Sequence, residues 1–302
     1  MEDMKFRAHD TFFIRKGWIS KGMRYVDKTD GEVFISKTEN PMDVLGIGAN
    51  MVKALRYWLQ AIGITQEPAS GKRIQTFTDF GKLVYEYDPY VEEMGTLYLL
   101  HYQLAKNIKM ATSWFFFFNE FALSDFTKDD FALQLSNFIR IRDNDTVVAA
   151  RSIEDDFTCI INTYVPRYKT MPSKVSAENN IDCPLGELGL IDVLKKERNN
   201  VIYKKAIPSA STFNPWVILS VIHDNANGRK EIGLNELLTG EKNIGRVFNL
   251  DSITMLDVLH AAERTGEIKI IRTAGLDIVN LKHEYSFEEC VKRYYDDIET
   301  VE

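Results

Sequence analysis

The chain of 302 residues has 45% hydrophobic content and a net charge of -7, a composition typical of a globular protein long enough for about two domains. No apolar run approaches the ~18 residues that span a bilayer, and the charged N-terminus lacks the apolar core of a secretory signal. We therefore expect a cytoplasmic protein without a membrane partner.

The cysteines and histidines give no sign of a metal or redox site. The three cysteines lie far apart in sequence, and no two of the five histidines have the i, i+4 spacing of ligands on one helix face. We expect reduced thiols, no metal, no cofactor and no small-molecule substrate.

Charge is distributed unevenly along the chain. Residues 11–75 contain ten basic and six acidic side chains, whereas residues 214–302 contain ten basic and sixteen acidic ones. Because cationic side chains neutralise phosphates, we expect any contact with DNA in the N-terminal part. The acidic C-terminal part is expected to bind a partner protein.

Residues 40–65 have the pattern of a helix-turn-helix. Pro41 begins a short helix that ends near Leu45, the segment Gly46-Ile47-Gly48 forms the turn, and a longer helix follows from Ala49 to Ala61. An apolar stripe runs along the second helix through Val52, Leu55, Leu59 and Ile62. The opposite face carries Asn50, Lys53, Arg56, Tyr57 and Gln60. These side chains could read base edges in the major groove, or they could form an ordinary solvated helix face.

A predicted hairpin follows the helix pair, which is the order of a winged helix. The turn falls at residues 68–71, so Lys72 and Arg73 are expected near the tip. We expect these two side chains, together with basic residues further upstream, to contact phosphates or to be ordinary surface charges. The upstream residues are Arg15, Lys16, Lys21 and Arg24.

The centre of the chain is predicted to be a helical bundle. Residues 96–142 have helical periodicity, and the segment Trp114 to Phe118 is apolar on all sides and must be buried. Thr127 can cap a helix together with Asp130, and another helix is expected from Ser152 to Tyr164.

Two histidines of the N-terminal half are expected to pack rather than to catalyse. His101 lies on an apolar helix stripe, which favours a hydrogen-bonded core residue. His9 and Asp10 are adjacent, and successive side chains usually point apart, so a capping or packing role is favoured for them.

The last third repeats the opening order in weaker form. Residues 166–184 are rich in proline, serine and asparagine and predict a long connection. Three helices and a two-stranded wing are then expected, at Pro215–Asp224, Leu234–Leu238, Asp251–Arg264 and Glu267–Lys282, with the wing turning at Ala274-Gly275. The third helix is acidic, which favours protein binding over phosphate contact.

The expected fold is mostly α with short β-hairpins. It comprises an N-terminal winged helix-turn-helix (1–92), a central helical bundle (93–165), a connecting region (166–213) and a C-terminal winged-helix-like domain (214–302).

Several motifs together resemble a bacterial family of unknown function that is often encoded beside sulfate-reductase-type DNA phosphorothioation enzymes and other phage-defence genes. The motifs are HDTFFIRKGWISKG, LGIGANMVKALRYWLQAIGIT, FGKLVYEYDPYVE, LYLLHYQLAKN, WFFFFNEF, PLGELGLI, GRVFNLD and TAGL. The resemblance covers nearly the whole chain. It implies a genomic context of antiviral defence or restriction-modification and carries over no catalytic residue.

The sequence thus predicts a non-catalytic subunit that binds double-stranded DNA and other subunits of a defence or DNA-modification complex. One alternative is a protein-protein adaptor of such a system without DNA contact. A metal-dependent nuclease is a third, built on Asp251, Glu267 and Lys269, whose placement need not converge. The chain has no phosphate-binding glycine loop and no Gly-x-Ser-x-Gly elbow, which argues against nucleotide-driven enzymes and serine hydrolases.

Overall fold

The structure is a computed structural model that describes residues 4–170, 182–197, 200–273 and 275–300. Within these ranges the chain is mostly helical with small antiparallel sheets, as the sequence predicts. The N-terminal elements are α1 (Trp18–Lys28), α2 (Pro41–Leu45), α3 (Ala49–Ala61), β1 (Thr65–Gln66), β2 (Thr76–Phe77) and α4 (Asp79–Tyr87).

The central elements combine a helical bundle with a three-stranded sheet. They are α5 (Met94–Lys106), α6 (Thr112–Asn119), β3 (Asp125–Phe126), α7 (Lys128–Arg142), α8 (Ala150–Tyr164), α9 (Arg167–Thr170), β4 (Ile191–Lys196) and β5 (Val201–Lys205). The strands pair in the antiparallel order β3-β5-β4. Strands β4 and β5 lie in the segment 166–213 that was predicted to be a connecting region, and that prediction is wrong for them. Their lysines interrupt the apolar alternation that would indicate a strand.

The C-terminal elements surround a second three-stranded antiparallel sheet, in the order β6-β8-β7. They are α10 (Pro215–Ala226), β6 (Glu231–Gly233), α11 (Leu234–Thr239), α12 (Ile244–Val247), α13 (Ser252–Glu263), β7 (Ile268–Thr273), β8 (Leu276–Leu281) and α14 (Phe287–Glu299). Of these elements, β6, α12 and α14 were not predicted from the sequence. Ala274, which was predicted to form the turn between β7 and β8, lies outside the described residues, as does most of the predicted connection 166–184.

Local capping explains several helix boundaries. Thr127 and Asp130 form the predicted capping box at the start of α7, with each side chain bonded to the backbone of the other. Ser286 and Glu289 form a second capping box that begins α14. Asp251 precedes α13 and accepts a hydrogen bond from the backbone N–H of Thr254 at 2.7 Å.

The core is organised around α6, all eight of whose residues are buried. A helix that is apolar on every side is stable only when neighbours cover all of its faces. Helices α5, α7, α8 and α12 pack against it. One continuous hydrophobic cluster extends from α1 through α6 to α13. The predicted division of the chain into four parts stays a prediction.

His101 joins three helices inside this core and is fully buried. Its Nε2 bonds to the carbonyl oxygen of Val247 on α12 at 2.6 Å, and its Nδ1 bonds to the hydroxyl of Tyr164 on α8 at 2.8 Å. A carbonyl can only accept, so Nε2 carries the proton and Nδ1 accepts from Tyr164. The expectation of a hydrogen-bonded core histidine is therefore confirmed. Burial lowers the pKa of His101 from 6.5 to about 4.

Acidification should therefore destabilise the protein through His101. The unfolded chain binds a proton at this side chain below pH 6.5, whereas the folded chain does so only below about 4. The free energy of unfolding is therefore highest above pH 6.5. It decreases by up to about 3 kcal/mol as the pH falls from 6.5 to about 4. Denaturant unfolding of the wild type and His101→Gln at pH 7 and pH 4.5 measures the difference.

The variant should be less stable at pH 7 and should lose less stability on acidification. His260→Gln, a change at an exposed histidine, is the control and should retain the full wild-type pH dependence. Equal losses for the wild type and His101→Gln would contradict the assignment.

Candidate nucleic-acid interface

Local sequence positions the helix pair as predicted. The side chain of Asn40 accepts a hydrogen bond from the Met42 N–H, Pro41 occupies the first helical position, and Gly46 ends α2 with a φ of +62°. Helix α3 then begins at Ala49 and buries the predicted stripe against α1 and its neighbours. The boundaries of α2 and α3 agree with the sequence prediction.

Only part of the predicted polar face of α3 is exposed. Asn50 and Lys53, in its first two turns, are exposed. Tyr57, two turns from the start, is 7% exposed and donates a hydrogen bond to the carbonyl oxygen of Met110 at 2.8 Å. Burial raises the pKa of its hydroxyl. The expectation that Tyr57 faces solvent is therefore wrong: a tyrosine ring can join a core when its hydroxyl finds a buried acceptor.

Arg56 and Gln60 are engaged by a carboxylate of the following hairpin. Arg56 Nε lies 2.6 Å from Glu67 Oε1, and Gln60 Nε2 donates to the same oxygen at 3.1 Å. Gln75 donates to it at 3.2 Å and also to the backbone carbonyl of Arg56 at 2.8 Å. Arg56, Gln60 and Glu67 are half-buried and Gln75 is fully buried. These contacts connect α3 to the hairpin, so Arg56 and Gln60 are not free to read a groove.

The hairpin itself projects beyond this network. Thr65 pairs with Phe77 and Gln66 with Thr76, and residues 68–73 are exposed. Lys72 forms an ion pair with Glu32, and Arg73 is exposed while its carbonyl oxygen accepts from Arg56. Lys72 and Arg73 thus lie at the tip, as predicted, and Arg73 is the more available of the two for an external anion.

The basic residues upstream do not all border the same surface. Lys21 donates to the carbonyl oxygen of Leu45 at 3.0 Å and so stabilises the end of α2. Arg15 and the exposed Lys16 line a cavity of about 420 Å³ together with residues 90–92, Pro184 and Glu187. That cavity contains no residue of α2, α3 or the hairpin. Burial, and then repulsion from Arg167, lowers the pKa of Arg15.

His9 belongs to a buried network that fixes the N-terminal segment to the bundle. Its Nε2 lies 2.8 Å from Asp156 Oδ1, and its Nδ1 accepts from the Thr11 N–H at 3.1 Å. Asp156 also accepts from the backbone N–H of Arg7 at 2.8 Å and from the Ser113 hydroxyl at 2.6 Å. Three protein donors therefore satisfy this buried carboxylate, which fits the predicted packing role.

The fragment considered for a nuclease does not converge. Asp251 caps the start of α13, whereas Glu267 follows the end of that 12-residue helix, which is about 18 Å long. Glu267 bonds instead to His283 at 2.7 Å and to Tyr285 at 3.1 Å, and Lys269 lies 3.2 Å from Glu263.

The described residues hold no group of three or more histidine, cysteine, aspartate or glutamate side chains arranged to bind a metal ion. The three cysteines are buried free thiols, as expected. Within the same ranges, no helix combines the length and the apolar character that crossing a bilayer requires.

Comparison with known proteins identifies relatives of the whole chain. A family described as "Protein of unknown function (DUF4007)" matches residues 6–295. The crystal structure of magnesium ion-bound SspB is 25% identical over 98% of this chain and 89% of that one, with a TM-score of 0.82. A further SspB crystal structure is 24% identical over 99% and 91%, with a TM-score of 0.83. No curated protein matches the chain.

Removing the Glu67 carboxylate should loosen the hairpin. In Glu67→Ala, Arg56, Gln60 and Gln75 lose a shared acceptor, and we expect a loss of about 1–3 kcal/mol in unfolding free energy. Denaturant unfolding measures this loss. Glu39→Ala, at an exposed carboxylate, is the matched control and should change stability by less than about 0.5 kcal/mol. Equal stability of the two variants would show that the network does not hold the hairpin.

Proposed function

The chain belongs to this family of unknown function, and from that premise we propose that it is a non-catalytic subunit that binds duplex DNA through α3 and the β1–β2 hairpin. The proposed setting is a bacterial DNA-modification or phage-defence complex. The setting rests on the resemblance of the sequence motifs to a family encoded beside such genes.

One observation carries the proposal: Asn50 and Lys53 are exposed at the start of α3, next to a hairpin that projects Arg73. In helix-turn-helix proteins the N-terminal residues of the second helix contact base edges, while other elements contact the backbone. Asn50 can bond to adenine and Lys53 to guanine or to a phosphate. Arg73 would contact the adjacent backbone, with Lys72 available once its pair with Glu32 opens.

The proposed interface is smaller than the one that the sequence pattern suggests. Arg56 and Gln60 act as positioning residues, because they connect α3 to the hairpin through Glu67. Tyr57 anchors the helix to the bundle through Met110. Specificity then depends on how rigidly these contacts orient Asn50 and Lys53, since base recognition requires a defined angle of the helix in the groove.

For the C-terminal part we propose a second winged-helix module that binds protein. The order helix, strand, two short helices, helix and hairpin, with strand order β6-β8-β7, supports this interpretation. The exposed face of α13 combines the 71% exposed side chain of Ile253 with the carboxylate of Asp257. An apolar side chain beside an acidic one suits a protein surface better than a phosphate backbone.

Two alternatives remain as outcomes of the test. One is an adaptor without DNA contact. The other is a metal-dependent nuclease, which gains interest from the magnesium ion bound to SspB. In the described residues no cluster of three or more potential ligands exists, and Asp251 and Glu267 lie at opposite ends of α13.

A gel shift with Lys53→Glu tests the proposal. The substitution places a negative charge where a phosphate or base edge would lie, so duplex binding should fall by at least about tenfold, with an unchanged melting temperature. Lys230→Glu makes the same charge change at an exposed position before β6 and should bind like the wild type. With about three phosphate contacts, from Lys53, Lys72 and Arg73, the wild-type logarithmic salt slope should be about -3.

Other results would favour the alternatives. If wild type and Lys53→Glu bind duplex equally, or if the salt response is flat, the α3 interface is wrong. Absence of DNA binding together with co-purification of a partner would favour the adaptor. Cleavage of plasmid DNA on addition of magnesium or manganese would favour the nuclease.

A further inference from the structure

A cavity of about 470 Å³ lies where the end of α6, the end of β5 and the segment from α11 to α13 meet. Pockets of about 300–1,000 Å³ are typical of small-molecule sites. Two cationic side chains, Lys205 and Arg246, line it, and the hydroxyl-bearing residues Ser124 and Ser252 lie on its border. No sequence pattern points to this site, because its lining residues are spread from Phe118 to Ser252.

Lys205 is held at the end of α6 with one donor remaining. Its ammonium group donates to the carbonyl oxygens of Phe117 at 2.8 Å and Phe121 at 2.6 Å. It also lies 4.9 Å from the centre of the Phe117 ring. An ammonium group has three N–H donors, and these two carbonyls are the hydrogen-bond partners of Lys205 in the described part of the chain. The third donor is available to a ligand in the cavity.

Arg246 is the second cation of the cavity. Its Nε donates to the carbonyl oxygen of Thr239 at 3.1 Å, which leaves its two terminal nitrogens for other partners. Among the described residues, neither Arg246 nor Lys205 has a carboxylate within 4.0 Å of its nitrogens. Burial and, second, the charge of Arg246 lower the pKa of Lys205 to about 7. Without a ligand, Lys205 is therefore only partly protonated at neutral pH, and a bound anion would favour its ammonium form by offsetting the repulsion from Arg246.

The acidic residue at the border of the cavity does not neutralise this pair. Asp251 accepts a hydrogen bond from the Thr254 N–H at 2.7 Å as the N-cap of α13. Hydrogen bonds from the backbone and side chain of Thr254 lower its pKa. These bonds keep the carboxylate ionised at the helix N-terminus, where the positive end of the helix dipole offsets part of its charge.

We propose that this cavity binds a phosphate monoester. A phosphate monoester carries nearly two negative charges at neutral pH, which matches the two cations better than a singly charged carboxylate does. Arginine and lysine are both common phosphate ligands. The apolar side of the cavity, formed by Ile207, Leu238 and Leu250, offers a surface for the organic part of the ligand. A nucleotide has this chemistry, either free or at the 5′ end of a DNA strand.

This inference is independent of the proposed duplex interface, because the cavity contains no residue of α3 or of the β1–β2 hairpin. The Lys53→Glu variant should therefore keep phosphate binding, and loss of the cavity should leave the duplex gel shift unchanged. Failure of one proposal can be distinguished from failure of the other.

Isothermal titration calorimetry of the full chain with thymidine 5′-monophosphate and with thymidine tests the proposal. The wild type should bind the phosphate ester and not the nucleoside. Arg246→Gln should weaken binding by at least about tenfold. Lys205→Met should weaken phosphate binding to a similar extent. If Lys205→Met does not fold, the affinities of Arg246→Gln and Arg246→Lys still test the proposal. Lys230→Gln, at an exposed lysine outside the cavity, is the matched control and should bind like the wild type.

The source of the phosphate is distinguished with a single-stranded oligonucleotide that does or does not carry a 5′-phosphate. Tighter binding of the phosphorylated strand than of both the unphosphorylated strand and the mononucleotide would support the proposal and identify a DNA end. Equal affinities for the phosphorylated strand and the mononucleotide would support the proposal and identify a free nucleotide as the ligand. The proposal is overturned if neither phosphate compound binds at millimolar concentration, or if Arg246→Gln binds as tightly as the wild type.

Discussion

The enclosure of α6 is the constraint on which the rest of the structure depends. Four consecutive phenylalanines follow Trp114, and a helix with that sequence has no face that can meet water at low cost. The chain therefore surrounds α6 on all sides, with α5, α7, α8 and α12. Its two ends are also used: Thr112 accepts from the backbone N–H of Lys5 at 2.8 Å, and the carbonyl of Phe117 accepts from Lys205.

Both candidate sites follow from this enclosure. The N-terminal segment is held against the start of α6 by the network of His9, Asp156 and Ser113, and Trp114 packs edge-to-face on Trp58 of α3. That contact fixes the orientation in which α3 presents Asn50 and Lys53. At the other end of α6, two backbone carbonyl oxygens accept hydrogen bonds from Lys205. These bonds hold Lys205 beside Arg246. The proposed duplex interface and the proposed phosphate cavity are thus two consequences of covering one aromatic helix.

The sequence predicted helices with strong local signals and failed where tertiary contacts decide. Pro41, Gly46 and the apolar stripe of α3 locate the helix pair, and the capping box of Thr127 locates α7. Tyr57 could not be assigned from periodicity, because its burial depends on the carbonyl of Met110, 53 residues away. Likewise, the sequence pattern places Arg56 on the surface. Its ion pair with Glu67 forms only when the hairpin packs against α3, which periodicity does not predict. Lys205 and Arg246 have no shared sequence motif.

The claim that the enclosure of α6 supports the whole fold is tested most directly by hydrogen exchange in a variant that lacks one phenylalanine ring of α6. Phe117→Ala should cost about 3–5 kcal/mol, and, if the enclosure of α6 supports both ends of the chain, exchange should accelerate in α1 and α13 as well as in α6. Leu133→Ala, at a residue that is 64% exposed, is the control and should leave exchange unchanged. Faster exchange confined to α6 and its immediate neighbours, with α1 and α13 protected as in the wild type, would contradict the account.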